Sequence, residues 1–202
     1  MVIDHIGYII FPDILILRYI GRLAFPIYAF LIGEGCIYYK NKKKYLLKTT
    51  ITLFIFQIIF FLIHNTFYIS VLYGFTCAIL SAIIWEWAQK DLNNRRPIAI
   101  IPIILLFFSI LIINSDYTFF AMILPLIVFF VKNKTLQKLL FGIMLILMSF
   151  CYGKYQILCI FSMIPILLYN GKKGKEIFFK NSFYVFYPLH YLIIGLINMF
   201  IK

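Results

Sequence analysis

The chain has 202 residues, of which 64% are hydrophobic, 20% are aromatic and only 13% are charged, and its formal net charge is +12. A soluble domain has about 25% charged residues, so this chain lacks the polar surface that a water-soluble globule needs, and its solvent must be the lipid bilayer. The basic residues are divided among short loops, which argues against nucleic acid as a partner. We expect one integral membrane domain over residues 1–202.

Apolar segments follow one another along the whole chain, and nine of them are predicted. The first, Met1–Pro12, is too short to cross a hydrocarbon core of about 30 Å at about 1.5 Å per residue. It is therefore a half-helix, or the end of a helix that begins upstream. The other eight are Ile20–Tyr39, Tyr45–Ile63, Tyr68–Trp87, Pro97–Ile113, Tyr117–Val131, Leu136–Phe150, Tyr155–Tyr169 and Phe183–Ile201. The sequence predicts an all-α, polytopic membrane helix bundle.

Basic residues alternate between the two ends of these segments. Cytoplasmic loops collect Lys and Arg, and most of the 19 basic residues follow the second, fourth, sixth and eighth segments. The pattern predicts a cytoplasmic N-terminus and a C-terminus on the outside. The loop that holds Lys43 and Lys44 could in addition bind an anionic cytoplasmic partner, such as the phosphates of a nucleotide.

Polar residues lie in the first segment, at Asp4 and His5, and at the entrance to the second, at Arg18 and Arg22. A charged residue at the bilayer centre costs about 2.5–3.5 kcal/mol, and such residues normally pair or face a functional interior. The two arginines are four apart and share one helix face, where like charges repel unless an anion lies opposite. The candidates for that anion are Asp4, Asp13 and Asp116. Arginines that snorkel to lipid headgroups are the alternative.

The adjacent pair Asp4–His5 could be catalytic. A carboxylate near an imidazole, directly or through water, fixes the tautomer of the ring and raises its basicity. Neighbouring residues on a helix point about 100° apart, so the two side chains do not face each other directly. The alternative is a histidine that only satisfies a structural hydrogen bond.

Two further polar positions lie in the middle of the chain. Glu34 stands between two glycines inside the second segment, and small residues let another helix approach closely. We expect its carboxylate to face the same wet chamber as Arg22 and the two histidine segments; the alternative is that it only bonds to a neighbouring helix. Asp116 and Tyr117 begin the sixth segment, where they could bind a substrate or form an ordinary loop turn.

The last segment combines a proline, three tyrosines and a histidine. Pro188 lacks a backbone N–H and leaves the carbonyl of Tyr184 without its helical partner. Tyr184, Tyr187 and Tyr191 share one helix face, and His190 borders it. The combination favours a water-accessible pocket, although an aromatic stripe also serves in packing.

Several motifs of other function classes are absent from the sequence. It has no G-x-x-x-x-G-K-[ST], G-x-S-x-G or H-E-x-x-H motif, which argues against a P-loop ATPase, a nucleophile-elbow hydrolase or a metalloprotease. The four cysteines have no spacing suited to zinc, so we expect no metal.

These polar positions resemble the motifs of the TraX family, named for the conjugative-plasmid protein that N-acetylates pilin. The matching stretches, in family order, are VIDHIGYIIFP (Val2–Pro12), IGRLAFPIYAFLIGEG (Ile20–Gly35), KKYLLK (Lys43–Lys48), SDYTFF (Ser115–Phe120) and FYVFYPLHYLII (Phe183–Ile194). The chain also resembles, more distantly, the larger transmembrane acyltransferases that acetylate sugars.

The resemblance implies an acyltransferase of the bacterial cytoplasmic membrane. It would transfer acetyl from cytoplasmic acetyl-CoA to an acceptor at or across the membrane, either an amino terminus of a protein or peptide or a glycan. For acyl transfer we expect catalytic roles for Asp4, His5, Arg22, Tyr187 and His190. We expect substrate or donor contacts from Arg18, Glu34, Lys43, Lys44, Asp116, Tyr117 and Tyr184.

Within that mechanism, His5 or His190 is the base and Asp4 orients His5. Arg22 or Tyr187 stabilises the oxyanion. Two other function classes use the same residues. A transporter would couple buried charges to substrate movement, and a scaffold would use them only to pair helices.

Overall fold

The structure is a computed structural model that describes residues 1–90, 98–105, 117–172 and 182–201. These residues form an all-helical bundle, as the sequence predicts. Its α-helices are α1 Val2–Ile9, α2 Leu15–Arg22, α3 Ala24–Tyr38, α4 Lys42–His64, α5 Val71–Gln89, α6 Thr118–Phe130, α7 Lys134–Tyr152, α8 Met163–Leu168 and α9 Ser182–Ile201. Two 3₁₀ segments cover Ile98–Ile100 and Lys154–Ser162.

Five stretches of the described residues are long and apolar enough to cross a membrane. They are Leu15–Tyr38, Lys42–His64, Val71–Gln89, Lys134–Tyr152 and Ser182–Phe200. Two shorter apolar helices cover Thr118–Phe130 and Gln156–Leu168. The chain is therefore a multi-pass membrane protein by length and composition. The fifth predicted segment, Pro97–Ile113, lies mostly outside the described residues. The count of nine segments and their orientation stay predictions.

The second predicted segment begins earlier than expected and is broken. Its helix starts at Leu15 rather than Ile20, and Leu23 separates α2 from α3. Pro26 explains the break, because it has no N–H to donate to the carbonyl of Arg22 and fits instead in the first turn of α3. Arg22 therefore lies at the end of a helix rather than at the entrance to one.

The predicted segment Tyr155–Tyr169 is mostly a 3₁₀ helix rather than an α-helix. Gly153 ends α7 with a φ of 83°, and the 3₁₀ segment Lys154–Ser162 follows it before α8 begins. A 3₁₀ helix rises about 2.0 Å per residue, against about 1.5 Å in an α-helix. The Lys154–Leu168 stretch is thus roughly 27 Å long despite its few residues, close to the hydrocarbon core thickness of about 30 Å.

Glycines let α3, α5 and α6 pack closely in the centre of the bundle. A Cβ on Gly33 of α3 would lie 2.8 Å from the carbonyl oxygen of Pro125 in α6. A Cβ on Gly74 of α5 would lie 2.7 Å from the carbonyl oxygen of Thr118 in α6. The close helix approach predicted for the glycines around Glu34 is confirmed at Gly33.

Candidate active site

Two histidines from opposite ends of the chain meet inside the bundle. His5 Nδ1 in α1 lies 2.8 Å from His190 Nε2 in α9, although 185 positions separate the two residues. Their rings are nearly parallel, with an interplanar angle of 4° and centroids 5.0 Å apart. This pair brings two of the predicted catalytic residues together.

The backbone of α9 decides which nitrogens of the pair carry hydrogen. His190 Nδ1 lies 2.8 Å from the carbonyl oxygen of Phe186, and a carbonyl only accepts, so Nδ1 carries the hydrogen. In neutral His190, Nε2 is then the acceptor, and the bond between the rings must be donated by His5 Nδ1. His5 Nε2 is left with a lone pair and no hydrogen-bond partner among the described residues.

Asp4 forms ion pairs with both arginines of α2. Its carboxylate Oδ1 lies 3.1 Å from Arg18 Nη1 and 3.7 Å from Arg22 Nε. Arg18 Nη1 also donates to the Asp4 carbonyl at 3.2 Å. The prediction of a carboxylate opposite the arginine pair is confirmed, and Asp4 provides it. Asp13 is exposed.

The expectation that Asp4 orients His5 by direct contact is wrong. The described contacts of the carboxylate are with Arg18 and Arg22, because residues adjacent on a helix point about 100° apart and the arginines occupy the direction that Asp4 faces. The ring of His5 is held by His190 instead.

A second polar chain extends from Arg22 toward the middle of the sequence. Arg22 Nη1 donates to the hydroxyl of Tyr117, and this hydroxyl donates to Gln156 Oε1 at 3.2 Å. The guanidinium also lies 5.4 Å from the centroid of the Tyr117 ring, a cation–π geometry. Tyr117, the residue before α6, thus connects α2 to the 3₁₀ segment.

These groups border a cavity of about 340 Å³ in the bundle. Six of the residues predicted for the site line it, namely Asp4, His5, Arg22, Tyr117, Tyr184 and Tyr187. Most of the remaining wall is apolar or aromatic. A cavity of this size with a few convergent polar groups is typical of a small-molecule site, although it lies near the lower end of the usual range of about 300–1,000 Å³.

The cavity is elongated along the α4–α5 hairpin. Tyr45, Thr49 and Thr52 line it from the first half of α4, and Val71 lines it from the first turn of α5. Since α5 begins where the hairpin turns back after the end of α4, these residues come from opposite ends of the hairpin. The cavity therefore approaches both ends of the membrane-spanning part of the molecule.

The third histidine of the chain lies next to the pair. His64, the last residue of α4, has its Nε2 2.8 Å from the Tyr191 hydroxyl, and the Tyr191 ring packs edge-on against His5 with centroids 4.9 Å apart. His190 borders Tyr187 in the same way, at 5.7 Å. All three histidines of the chain therefore meet in one region.

Glu34 does not belong to this region. It lies 12 residues beyond Arg22, about 18 Å along the helix axis, and it is not among the residues that line the cavity. Its carboxylate Oε1 accepts from Lys134 Nζ of α7 at 3.1 Å, and Lys134 Nζ also donates to Gln137 Oε1 at 3.4 Å. The prediction that Glu34 and Arg22 share one chamber is wrong, because the Glu34 side chain bonds to Lys134 of α7 instead of lining the cavity.

Other predicted contacts also lie outside the cavity wall. Lys43 and Lys44 are exposed in the first turn of α4, where the backbone N–H of Lys44 donates to the capping side chain of Asn41 at 2.9 Å. Among the described residues, Arg18 reaches the site through Asp4. Asp116 lies outside the described residues.

Sequence reasoning left Gln156 and His64 out of the site and named Tyr191 only as part of the tyrosine face. Gln156 is 1% exposed and its Nε2 has no hydrogen-bond partner among the described residues, which marks a buried polar group beside the network. An amide in an apolar segment was a weak signal, since it bears no charge. His64 lies at the end of a helix, where a polar residue gives little indication of a site.

Comparison with known proteins identifies one family. No curated protein and no solved structure matches the chain. The family model described as TraX protein matches residues 1–198, which is nearly the whole chain. The chain therefore belongs to the TraX family.

Proposed function

We propose that the protein is a membrane-embedded acyltransferase that moves acetyl from cytoplasmic acetyl-CoA to an acceptor at or across the membrane. The observation that supports it most is the His5–His190 pair beside a cavity that also holds Arg22. Acyl transfer needs a base for the acceptor proton and donors for the oxyanion, and this arrangement offers both. Family membership agrees with the proposal, because the resemblance implies acetyl transfer.

His5 is the base in this mechanism, and His190 is the positioning residue. The free lone pair of His5 Nε2 accepts a proton from the amine or hydroxyl of the acceptor as that group attacks the thioester carbon. The resulting imidazolium is held by the bond from His5 Nδ1 to His190 Nε2, which is anchored through Phe186. When the carbon–sulfur bond breaks, His5 returns the proton to the departing thiolate.

Arg22 stabilises the oxyanion of the tetrahedral intermediate. It lines the cavity with His5, and its position is fixed from two sides, by Asp4 and by Tyr117. A guanidinium has five N–H donors, so these contacts leave donors for a substrate oxygen. Because Tyr117 donates its hydroxyl hydrogen to Gln156, it holds Arg22 in position and does not itself donate to the oxyanion.

The cavity accommodates the acyl end of the donor rather than the whole coenzyme. At about 340 Å³ it is near the lower limit for a ligand site, so the nucleotide part of acetyl-CoA stays outside. The exposed lysines at the start of α4, including Lys43 and Lys44, are close in sequence to the cavity residue Tyr45 and are placed to attract its phosphates. The elongated shape lets donor and acceptor enter from opposite ends.

Binding of acetyl-CoA tests the proposal directly. Detergent-solubilised protein is titrated with radiolabelled acetyl-CoA, with unlabelled CoA and a nucleotide as competitors. We expect saturable binding with one donor per chain, and competition by CoA. The same preparation is then supplied with a peptide bearing a free amino terminus or with a glycan, and CoA release and label transfer are measured.

The outcomes separate the enzyme from the two other function classes. A transporter or a scaffold does not need an acetyl-CoA site, so absence of saturable binding to folded protein would refute the transferase. Binding and donor turnover that persist in both His5→Ala and His190→Ala would leave the transferase standing and refute the assignment of the base.

A further inference from the structure

A groove on the outside of the bundle runs between α4 and α9. It has a volume of about 390 Å³ and is lined by Ile51, Ile55 and Ile59 from one helix and by Val185, Leu189 and Leu192 from the other. The side chains of Ile51 and Leu189 are 49% and 46% exposed. In a membrane protein this exposed apolar surface faces lipid.

The groove has the depth of one bilayer leaflet. Along α4 it extends from Lys48 to Ile59, about 16 Å at the helical rise of about 1.5 Å per residue. Half of a hydrocarbon core of about 30 Å is about 15 Å. An acyl chain from one leaflet thus matches the groove in length as well as in polarity.

One end of the groove is charged and polar. Lys48 is the charged residue among those that line it, and its ammonium lies 5.6 Å from the centroid of the Tyr184 ring. Thr52, which also lines the groove, adds a hydroxyl one turn further along α4. A cation at one end of an otherwise apolar groove suits an anionic headgroup.

We propose that this groove binds an anionic phospholipid, with one acyl chain between α4 and α9 and the phosphate on Lys48. The site is distinct from the central cavity but adjoins it, because Thr52 and Tyr184 line both. The lipid therefore packs against the wall of the candidate active site from the membrane side. The proposal does not depend on acyl transfer.

Photocrosslinking tests the proposal on the unmodified protein. Protein in phosphatidylcholine nanodiscs receives a trace of phosphatidylglycerol or phosphatidylcholine with the same photoactivatable acyl chain, and crosslinked peptides are identified by mass spectrometry. A lysine near the membrane surface favours an anionic lipid about five-fold. We expect that preference at residues 51–59 and 185–192, and equal labelling by both lipids at the exposed side chain of Leu62.

Matched variants locate the two parts of the site. Lys48→Gln removes the phosphatidylglycerol preference, while Lys132→Gln, an exposed lysine before α7 that does not line the groove, leaves it unchanged. Leu189→Trp fills the groove and abolishes labelling there by both lipids. Leu196→Trp does not, although Leu196 is 47% exposed on the same helix.

Two results would overturn the proposal. One is equal labelling of the groove by both lipids in the unmodified protein. The other is label spread evenly over all lipid-facing helices, as expected for boundary lipid. Neither reading uses acetyl-CoA, so a failed transferase test and a failed lipid test are separate results.

Discussion

Two parts of the molecule hold charge inside apolar helices, and they are built differently. At the end of α2, Asp4 contacts both arginines and Arg22 continues to Tyr117, so that several helices share one network beside a cavity. At the start of α7, Lys134 contacts Glu34 of α3, and neither residue lines that cavity. The first arrangement is a branched network that borders open space, whereas the second is a pair, with Gln137 beside Lys134, that joins α3 to α7.

This difference shows what marks a site in a membrane protein. Charge inside the bilayer is costly in both places, so its presence alone does not separate function from structure. Helix pairing needs only one partner for each charge. Residues from α1, α2 and α9, together with Tyr117 before α6, converge on one cavity, which is more than helix pairing requires. Variants of these residues test whether this convergence serves catalysis.

The largest effect is expected for His5→Ala. Loss of a general base lowers turnover by about 10²–10⁴-fold, and His5 is the histidine whose Nε2 is free to accept the proton. CoA release from acetyl-CoA in the presence of an acceptor measures it. Acetyl-CoA binding within about two-fold of the parent serves as the control for folding, and full turnover in a variant that passes this control would contradict the assignment.

The next effect is expected for Arg22→Lys. The variant keeps the positive charge near Asp4 but loses the planar fork of donors that bonds to Tyr117. Removal of one oxyanion donor costs about 10²–10³-fold in kcat, so we expect that loss with a nearly unchanged KM. Arg18→Lys is the matched control, because Arg18 contacts the same carboxylate without lining the cavity. An equal loss in both variants would indicate a structural role for the pair.

A smaller effect is expected for His190→Ala. As a positioning residue, His190 acts through the ring of His5, and loss of such a partner typically costs about 10–100-fold. His190→Gln keeps an acceptor for His5 Nδ1, so we expect it to restore most of kcat, with KM similar in both variants. Failure of Gln to restore kcat in a stable protein would argue that His190 serves in packing rather than in orientation.

Much of the fold followed from the sequence, because hydropathy and charge act locally. The apolar stretches Lys42–His64 and Lys134–Tyr152 form helices that their own composition predicts. Pro26 likewise causes the break between α2 and α3 by a local effect. The arginine pair of α2 required a carboxylate whatever the fold, and Asp4 was one of three candidates. Prediction succeeded where neighbours in sequence decide the outcome.

The arrangement of the site depended on how distant helices pack, which no local pattern contains. His5 and His190 are 185 positions apart, and the bond between them depends on α1 lying against α9. Gln156 lies near Tyr117 because the segment after Gly153 is a 3₁₀ helix, whose phase differs from that of an α-helix. Glu34 was placed in the wrong chamber for the same reason, since its partner Lys134 is 100 positions away.

The smallest effect on turnover is expected for Glu34→Gln, which tests the other half of the comparison. If this carboxylate only joins α3 to α7, CoA release stays within about two-fold of the parent. Stability falls instead, because Lys134 loses its charged partner. We expect a loss of about 1–3 kcal/mol, below that of a fully buried pair, since the Lys134 side chain is 52% exposed.

Replacement of both partners sharpens the test. The double variant Glu34→Gln with Lys134→Met removes the unpaired charge and recovers part of the stability, measured by thermal unfolding in detergent, because a pair can often be replaced by neutral groups at little cost. A loss of turnover in Glu34→Gln that the second change does not repair would place Glu34 in the catalytic machinery. That result would remove the distinction between the branched network and the simple pair, since both would then serve the reaction.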